Sequence, residues 1–150
     1  MKKLFFLTAL ILSGIFSVHT DAKAQAAYDT LCEYKTYYSL EDALKDPLNV
    51  QKLDLSMQKL TVFPDQILQL KNLVCLDLSF NKIPTLPATF STLTNLKVLN
   101  LMGTRYMSKT PPVLTQMPNL LVLDLRDHPE WPAATFDAAV KLLPNVTIIK

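Results

Sequence analysis

The chain has 150 residues, 49% of them hydrophobic and 19% charged, with a formal net charge of +2. That balance fits one compact domain and excludes a disordered chain, and the length excludes a catalytic barrel or a two-domain doubly wound enzyme. The chain holds only 2 glycines, which excludes the Gly-rich phosphate cradles, because both common forms need several positions of close backbone approach.

In chain order, Lys2 and Lys3 come first, followed by an apolar run from Leu4 to Val18. That run is shorter than the roughly 20 residues that span a bilayer comfortably. Ala22-Lys23-Ala24 then offers a small-x-small cleavage site. Residues 1–24 read as a secretory signal peptide, which predicts an exported protein (periplasmic, cell-surface or secreted) with no stable membrane insertion after cleavage. Cleavage after Ala24 removes Lys2, Lys3, Lys23 and Asp21 and leaves a formally neutral chain. No segment concentrates Lys or Arg, so nucleic acid is not expected as a partner.

Residues 25–49 read as an N-terminal cap. Tyr28, Tyr34, Tyr37 and Tyr38 mark an extended segment over 28–38. Ser39-x-x-Asp42 is a capping box that opens a helix over 39–46, ended before Pro47. From residue 50 onward the sequence repeats. Val50-x-x-Leu53-x-Leu55-x-x-Gln58 aligns with Leu73-x-x-Leu76-x-Leu78-x-x-Asn81, Leu96-x-x-Leu99-x-Leu101-x-x-Thr104 and Leu120-x-x-Leu123-x-Leu125-x-x-His128. A fifth, truncated line begins at Val146-x-x-Ile149. The second halves repeat as well: Phe63-Pro64-x-x-Ile67-x-x-Leu70 matches Leu86-Pro87-x-x-Phe90-x-x-Leu93. The third unit has Pro111-x-x-Leu114-x-x-Met117 and the fourth a longer helical stretch over 133–143. Alternation such as Leu53-Asp54-Leu55 is that of a half-buried strand too short to bury its apolar face alone, so the copies must stack. The proline after each strand sets a turn, and apolar residues three apart allow a short 3-10 or α-helical return.

These lines resemble the leucine-rich repeat family in its 23-residue form with an LPxxL second half, over residues 50–150 with four full units and one truncated. The layout also looks like short secreted bacterial members, in which a segment such as Ser39-Leu40-Glu41-Asp42-Ala43-Leu44 precedes the first repeat. The resemblance implies an α/β solenoid with a concave sheet of short parallel strands and a convex side of 3-10 turns and short helices. It also implies a protein or peptide interaction module without catalysis, cofactor or metal. A structural or self-associating envelope protein and an enzyme with a concave-face site are the alternatives.

In that register the third, fifth, seventh and eighth positions face the concave side. The fifth column holds Asp54, Asp77, Asn100 and Asp124. Neighbouring strands lie about 4.8 Å apart, so Asp54 and Asp77 could approach the separation of a retaining glycosidase pair. Leu-Asp-Leu-Ser is also a common strand filling in the family, and an open sheet has no cleft. The ninth column, with Gln58, Asn81, Thr104 and His128, implies a buried turn ladder. Val98, Val122 and Ile148 in the third column, with Phe80 and Met102, suggest an exposed apolar patch that marks a partner site. The strand preference of β-branched residues is the competing explanation. The expected binding face is therefore Asp77, Phe80, Val98, Met102, Val122, Asp124, Arg126 and Asp127. Cys32 and Cys75 form an even pair that export would allow to bridge. Their assignment to the cap and to the concave face weighs against their meeting. The strand at 147–149 is expected at the edge of the sheet, where it invites weak self-association unless the 133–143 helix shields it.

Overall fold

The computed structural model describes residues 25–150 and Ala22, so the expected signal peptide lies outside the described residues apart from that alanine. Six parallel strands lie side by side in chain order: β1 (Thr36–Tyr37), β2 (Lys52–Asp54), β3 (Cys75–Asp77), β4 (Val98–Asn100), β5 (Val122–Asp124) and β6 (Thr147–Ile149). Each strand returns over the convex side. The returns are 3-10 turns at Asp65–Gln69, Ala88–Thr92 and Pro112–Gln116, and then a helix, designated α3, at Ala133–Leu142. The residue before each of these four elements is a proline, Pro64, Pro87, Pro111 and Pro132, in extended backbone. Proline fixes φ near its extended and helical values alike and so sets the corner between strand and return. The fold is an α/β solenoid.

The core lies between the sheet and the returns. Leu53, Leu76, Leu99 and Leu123 stack as one row, and Leu55, Leu78, Leu101 and Leu125 as the next. Ile67, Phe90 and Leu114 close the row from the convex side. All eleven are fully or almost fully buried. Burial on this scale is the main stabilising term, on the order of 2 kcal/mol for each leucine side chain. Phe63 and Phe90 meet edge to face at 5.4 Å, which ties the first return to the second.

In the cap, β1 pairs with β2 through Thr36 and Lys52, so the tyrosine-rich stretch adds a strand to the sheet. Ser39 accepts a hydrogen bond from the Asp42 amide and starts helix α2 (Leu40–Ala43), shorter than the 39–46 expected because the chain tightens into a turn and a 3-10 segment at Pro47–Asn49. Residues 25–31 form a further helix, α1, which the sequence reading did not contain.

The last unit departs from its expected register. Thr147 pairs with Val122, Ile148 with Leu123 and Ile149 with Asp124. One residue fewer separates turn from strand, and a slip of one residue exchanges the two faces of a strand. Ile149, and not Ile148, therefore stands on the concave side, while Ile148 packs on the leucine core.

Candidate interaction face

The concave face divides into two parts. The first is an apolar strip of Val74, Cys75, Val98, Val122 and Ile149, together with Cys32. Helix α1 lies on it, with Ala27, Tyr28 and Leu31 packed against the strip. A disulfide between Cys32 and Cys75 fastens the helix there, joining positions 43 residues apart. Lys52 Nζ also donates to the Cys32 carbonyl at 3.1 Å. The expectation of an exposed apolar column is corrected here: Val98 and Val122 are 1% and 2% exposed. They are strand residues with a cover, and the cover is the chain's own. The bridge forms for the same reason, since α1 brings the cap cysteine onto the concave face.

Next to the strip runs a ladder of side-chain turns. Asp54, Asp77, Asn100 and Asp124 each use Oδ1 to accept the backbone N–H two residues on, from Ser56, Ser79, Met102 and Arg126. Asn100 Nδ2 donates to Asp77 Oδ2 at 2.7 Å, linking two rungs. Short polar side chains satisfy the amides that leave the sheet at this point, which explains the column. Asp124 is buried at 2% exposure, its carboxylate held by the Arg126 guanidinium at 2.6 Å, so it is corrected from a surface contact to the buried partner of an exposed arginine. Asp77 is half-buried. Burial pushes its carboxyl above the ordinary range, and the charge of Asp54 adds to the rise, against hydrogen bonds from Ser79 and Asn100. The Tyr28 phenol is pushed up to about 12, first by burial and then by Asp77, Asp54 and Asp124. Tyr28 thus packs on the apolar strip while its phenol lies in the field of the acidic ladder.

The second part is an open rim at the ends of the strands. Met57, Phe80, Gly103 and Asp127 occupy equivalent places, and all four have left-handed backbone, with φ of 58°, 53°, 64° and 58°. Gly103 is the residue suited to that conformation. It has a second reason to be glycine: a Cβ there would sit 2.6 Å from Phe80 Cδ1, so the Phe80 ring lies over the space a side chain would fill. Phe80 remains 42% exposed. Met102 is half-buried beside it, and Arg126 and Asp127 are exposed. Arg105 Nη2 lies 4.0 Å from Asp127 Oδ2. Of the eight expected contact residues, Phe80, Met102, Arg126 and Asp127 form this rim, Asp77 lies in the ladder beside the strip, and Val98, Val122 and Asp124 lie underneath.

Below the rim, the buried Asn81 amide donates to the carbonyls of Leu55, Leu78 and Ser79 and accepts from the Leu60 amide. Thr104 Oγ1 donates to the Leu101 carbonyl, and His128 Nε2 contacts the same oxygen at 3.0 Å. Burial holds the His128 pKa below its ordinary value, and the ring stacks on Trp131 at 4.4 Å. Trp131 donates to the Met107 carbonyl. A second ladder escaped the sequence reading. Asn72, Asn95 and Asn119 each donate to a backbone carbonyl of the preceding unit, on Leu48, Lys71 and Thr94. Its signal was present: an asparagine stands directly before the first apolar residue of every unit. Among the described residues no cluster of three or more His, Cys, Asp or Glu could hold a metal, and no helix is long and apolar enough to cross a membrane.

A solenoid with an open concave sheet defines a class of proteins that present one face to a partner. The family profile described as leucine rich repeat matches residues 49–105. A solved structure of a leucine-rich repeat protein from Leptospira interrogans superposes with a TM-score of 0.52 and 29% identity, taking in 77% of this chain and 34% of that one. This chain thus matches about a third of the length of that relative. No curated protein matches. Residues 49–105 thus match the leucine-rich repeat family and the fold is that of a leucine-rich repeat protein, a class whose members commonly bind proteins.

Proposed function

We propose that this is an exported interaction module that binds a protein or peptide through the open rim of its concave face, without catalysis. The observation that carries the reading is Phe80. A bulky residue is held in left-handed backbone, over a glycine that leaves room for its ring, with almost half of its surface exposed. Strained, exposed aromatic residues suit recognition better than folding. Met102 extends the apolar centre, and Arg126 and Asp127 supply a charged border, the arrangement of an interface core and rim. The carboxylates that might have served chemistry are occupied in supporting the backbone and an ion pair. Export is supported by the N-terminal apolar run and by the Cys32–Cys75 bridge, because disulfides persist in oxidising compartments.

The test replaces Phe80 with a photo-crosslinking residue and compares it with the same residue at the exposed convex position Thr92, in extracts of the native envelope. The reading expects a discrete adduct from position 80 alone, weakened about tenfold by Asp127→Ala. Adducts from position 92 alone would place the interface on the convex side. Terminal sequencing of the exported protein should begin at Gln25, and an intact Met1 would remove the export part of the reading.

A second, weaker association is proposed through β6. Among the described residues it has a strand on one side only, and Thr147 is exposed. Such an edge is a template for pairing with a second copy. Sedimentation equilibrium should find a concentration-dependent dimer that Thr147→Lys abolishes. A monomer at all concentrations would leave the edge without this role.

A further inference from the structure

We infer that α1 is a disulfide-fastened strap over a helix-docking strip, and that reduction by a dithiol releases the strap and opens the strip while the solenoid stays folded. The inference concerns the covered half of the concave face, so it stands independently of what the rim binds.

The bridge joins the cover to what it covers. Cys75 belongs to β3, inside the sheet, whereas Cys32 follows directly on α1. The loop that the bridge encloses, which does not include α1, has its own attachments: β1 is paired with β2, β2 with β3, and Ala43 of α2 is buried in the leucine core. Helix α1 is different. Its described residues lie on the sheet through side-chain contacts. Its contact residues Ala27, Tyr28 and Leu31 are only partly buried. Glu33, Tyr34 and Lys35, which connect Cys32 to β1, are all exposed and form the hinge. A helix that lies on a sheet through partly buried side chains is retained mainly by its tether, which keeps its local concentration high.

The strip beneath is already shaped for a helix. Val74, Cys75, Val98, Val122 and Ile149 run across four neighbouring strands, and the occupant offers Tyr28 and Leu31 about one helical turn apart, with Ala27 one turn before Leu31 and Cys32 one turn after Tyr28. The occupant that suits the opened strip is therefore a short amphipathic helix with apolar side chains at that spacing. In the opening reaction one thiolate of the dithiol attacks a sulfur of the bridge, forming a mixed disulfide and releasing one cysteine. The second thiol of the reagent then displaces the other cysteine. Two electrons and two protons pass to the protein, which gains two thiols, and the dithiol becomes a cyclic disulfide.

The test measures amide hydrogen exchange and anilinonaphthalene sulfonate fluorescence on the whole protein, oxidised and then reduced with dithiothreitol. On reduction, exchange at residues 29–32 should accelerate by about tenfold or more, dye fluorescence should rise, and the amides of Val98 and Val122 should keep their protection. The Cys32→Ser/Cys75→Ser double variant should behave as the reduced protein under both conditions. As a control that retains the bridge, Leu31→Asp should raise dye binding without reduction. Unchanged protection of residues 29–32 after reduction would overturn the proposal. So would loss of protection at Val98 and Val122 together with them, since the bridge would then serve the whole fold.

Discussion

The two halves of the concave face arise from the same repeats and lie a few residues apart along each strand, yet they serve opposite ends. The strip built on Val98 and Val122 is apolar because it is interior, closed by α1. The rim built on Phe80, Met102, Arg126 and Asp127 carries an apolar centre while remaining accessible. An apolar column on a repeat surface therefore calls for a cover, and residues outside the repeats decide whether that cover is a partner or the chain itself.

The sharpest way to break this contrast is to place a charge in each half. Val98→Asp buries a carboxylate with no cation provided for it, and should lower unfolding stability in urea by about 3 kcal/mol or more, or force α1 off the sheet. Phe80→Asp in the rim should change stability by no more than about 0.5 kcal/mol, as surface substitutions do. Equal costs at the two positions would mean that the halves are not distinct.

A smaller effect sharpens the account of the rim itself. Gly103→Ala adds a Cβ to left-handed backbone, at about 1 kcal/mol, and drives it into the Phe80 ring, for a total on the order of 2 kcal/mol. In the Phe80→Ala background the same change should cost only the backbone part. A double-mutant cycle with no coupling would show that the Phe80 ring does not rest over Gly103.

The smallest effect reports on the cover. The Tyr28 phenol is raised from 10.0 to about 12. Between those two values the unfolded chain ionises while the folded protein stays neutral, so the fold loses stability as pH rises through the window, and below it this group contributes nothing. Ultraviolet titration of tyrosinate should find one late-titrating tyrosine in the oxidised protein. Leu31→Asp should bring that tyrosine back toward 10.0, and an unchanged value would detach Tyr28 from the packing of α1.

Much of this fold was legible before the structure. The repeat length placed β2 to β5 and their leucine rows, because a period in sequence becomes a stack in space. The Asp column was visible as a pattern, and its use in capping the strand ends follows from the alternation of short polar with apolar residues. Three things were not legible for physical reasons. The pattern Ala27, Tyr28, Leu31 and Cys32 describes a helix face only when the strip it meets is known, and that strip is assembled from four strands distant in sequence. The fate of Val98 and Val122 follows from the same contact. The one-residue shortening before β6 leaves no mark in composition, yet it exchanges Ile148 for Ile149 on the concave side. The sequence named the four rim residues, from the seventh and eighth columns, alongside Val98, Val122 and Asp124 of the third and fifth columns, which are buried.

The central claim is that, in the oxidised protein, the strip is occupied by the chain's own N-terminal helix. Nuclear Overhauser contacts between the methyl groups of Val98 and Val122 and the side chains of Tyr28 and Leu31 test it most directly. The account predicts these contacts, with the valine methyls shielded from a soluble paramagnetic probe. Valine methyls that lack them and relax freely in the presence of the probe would contradict it.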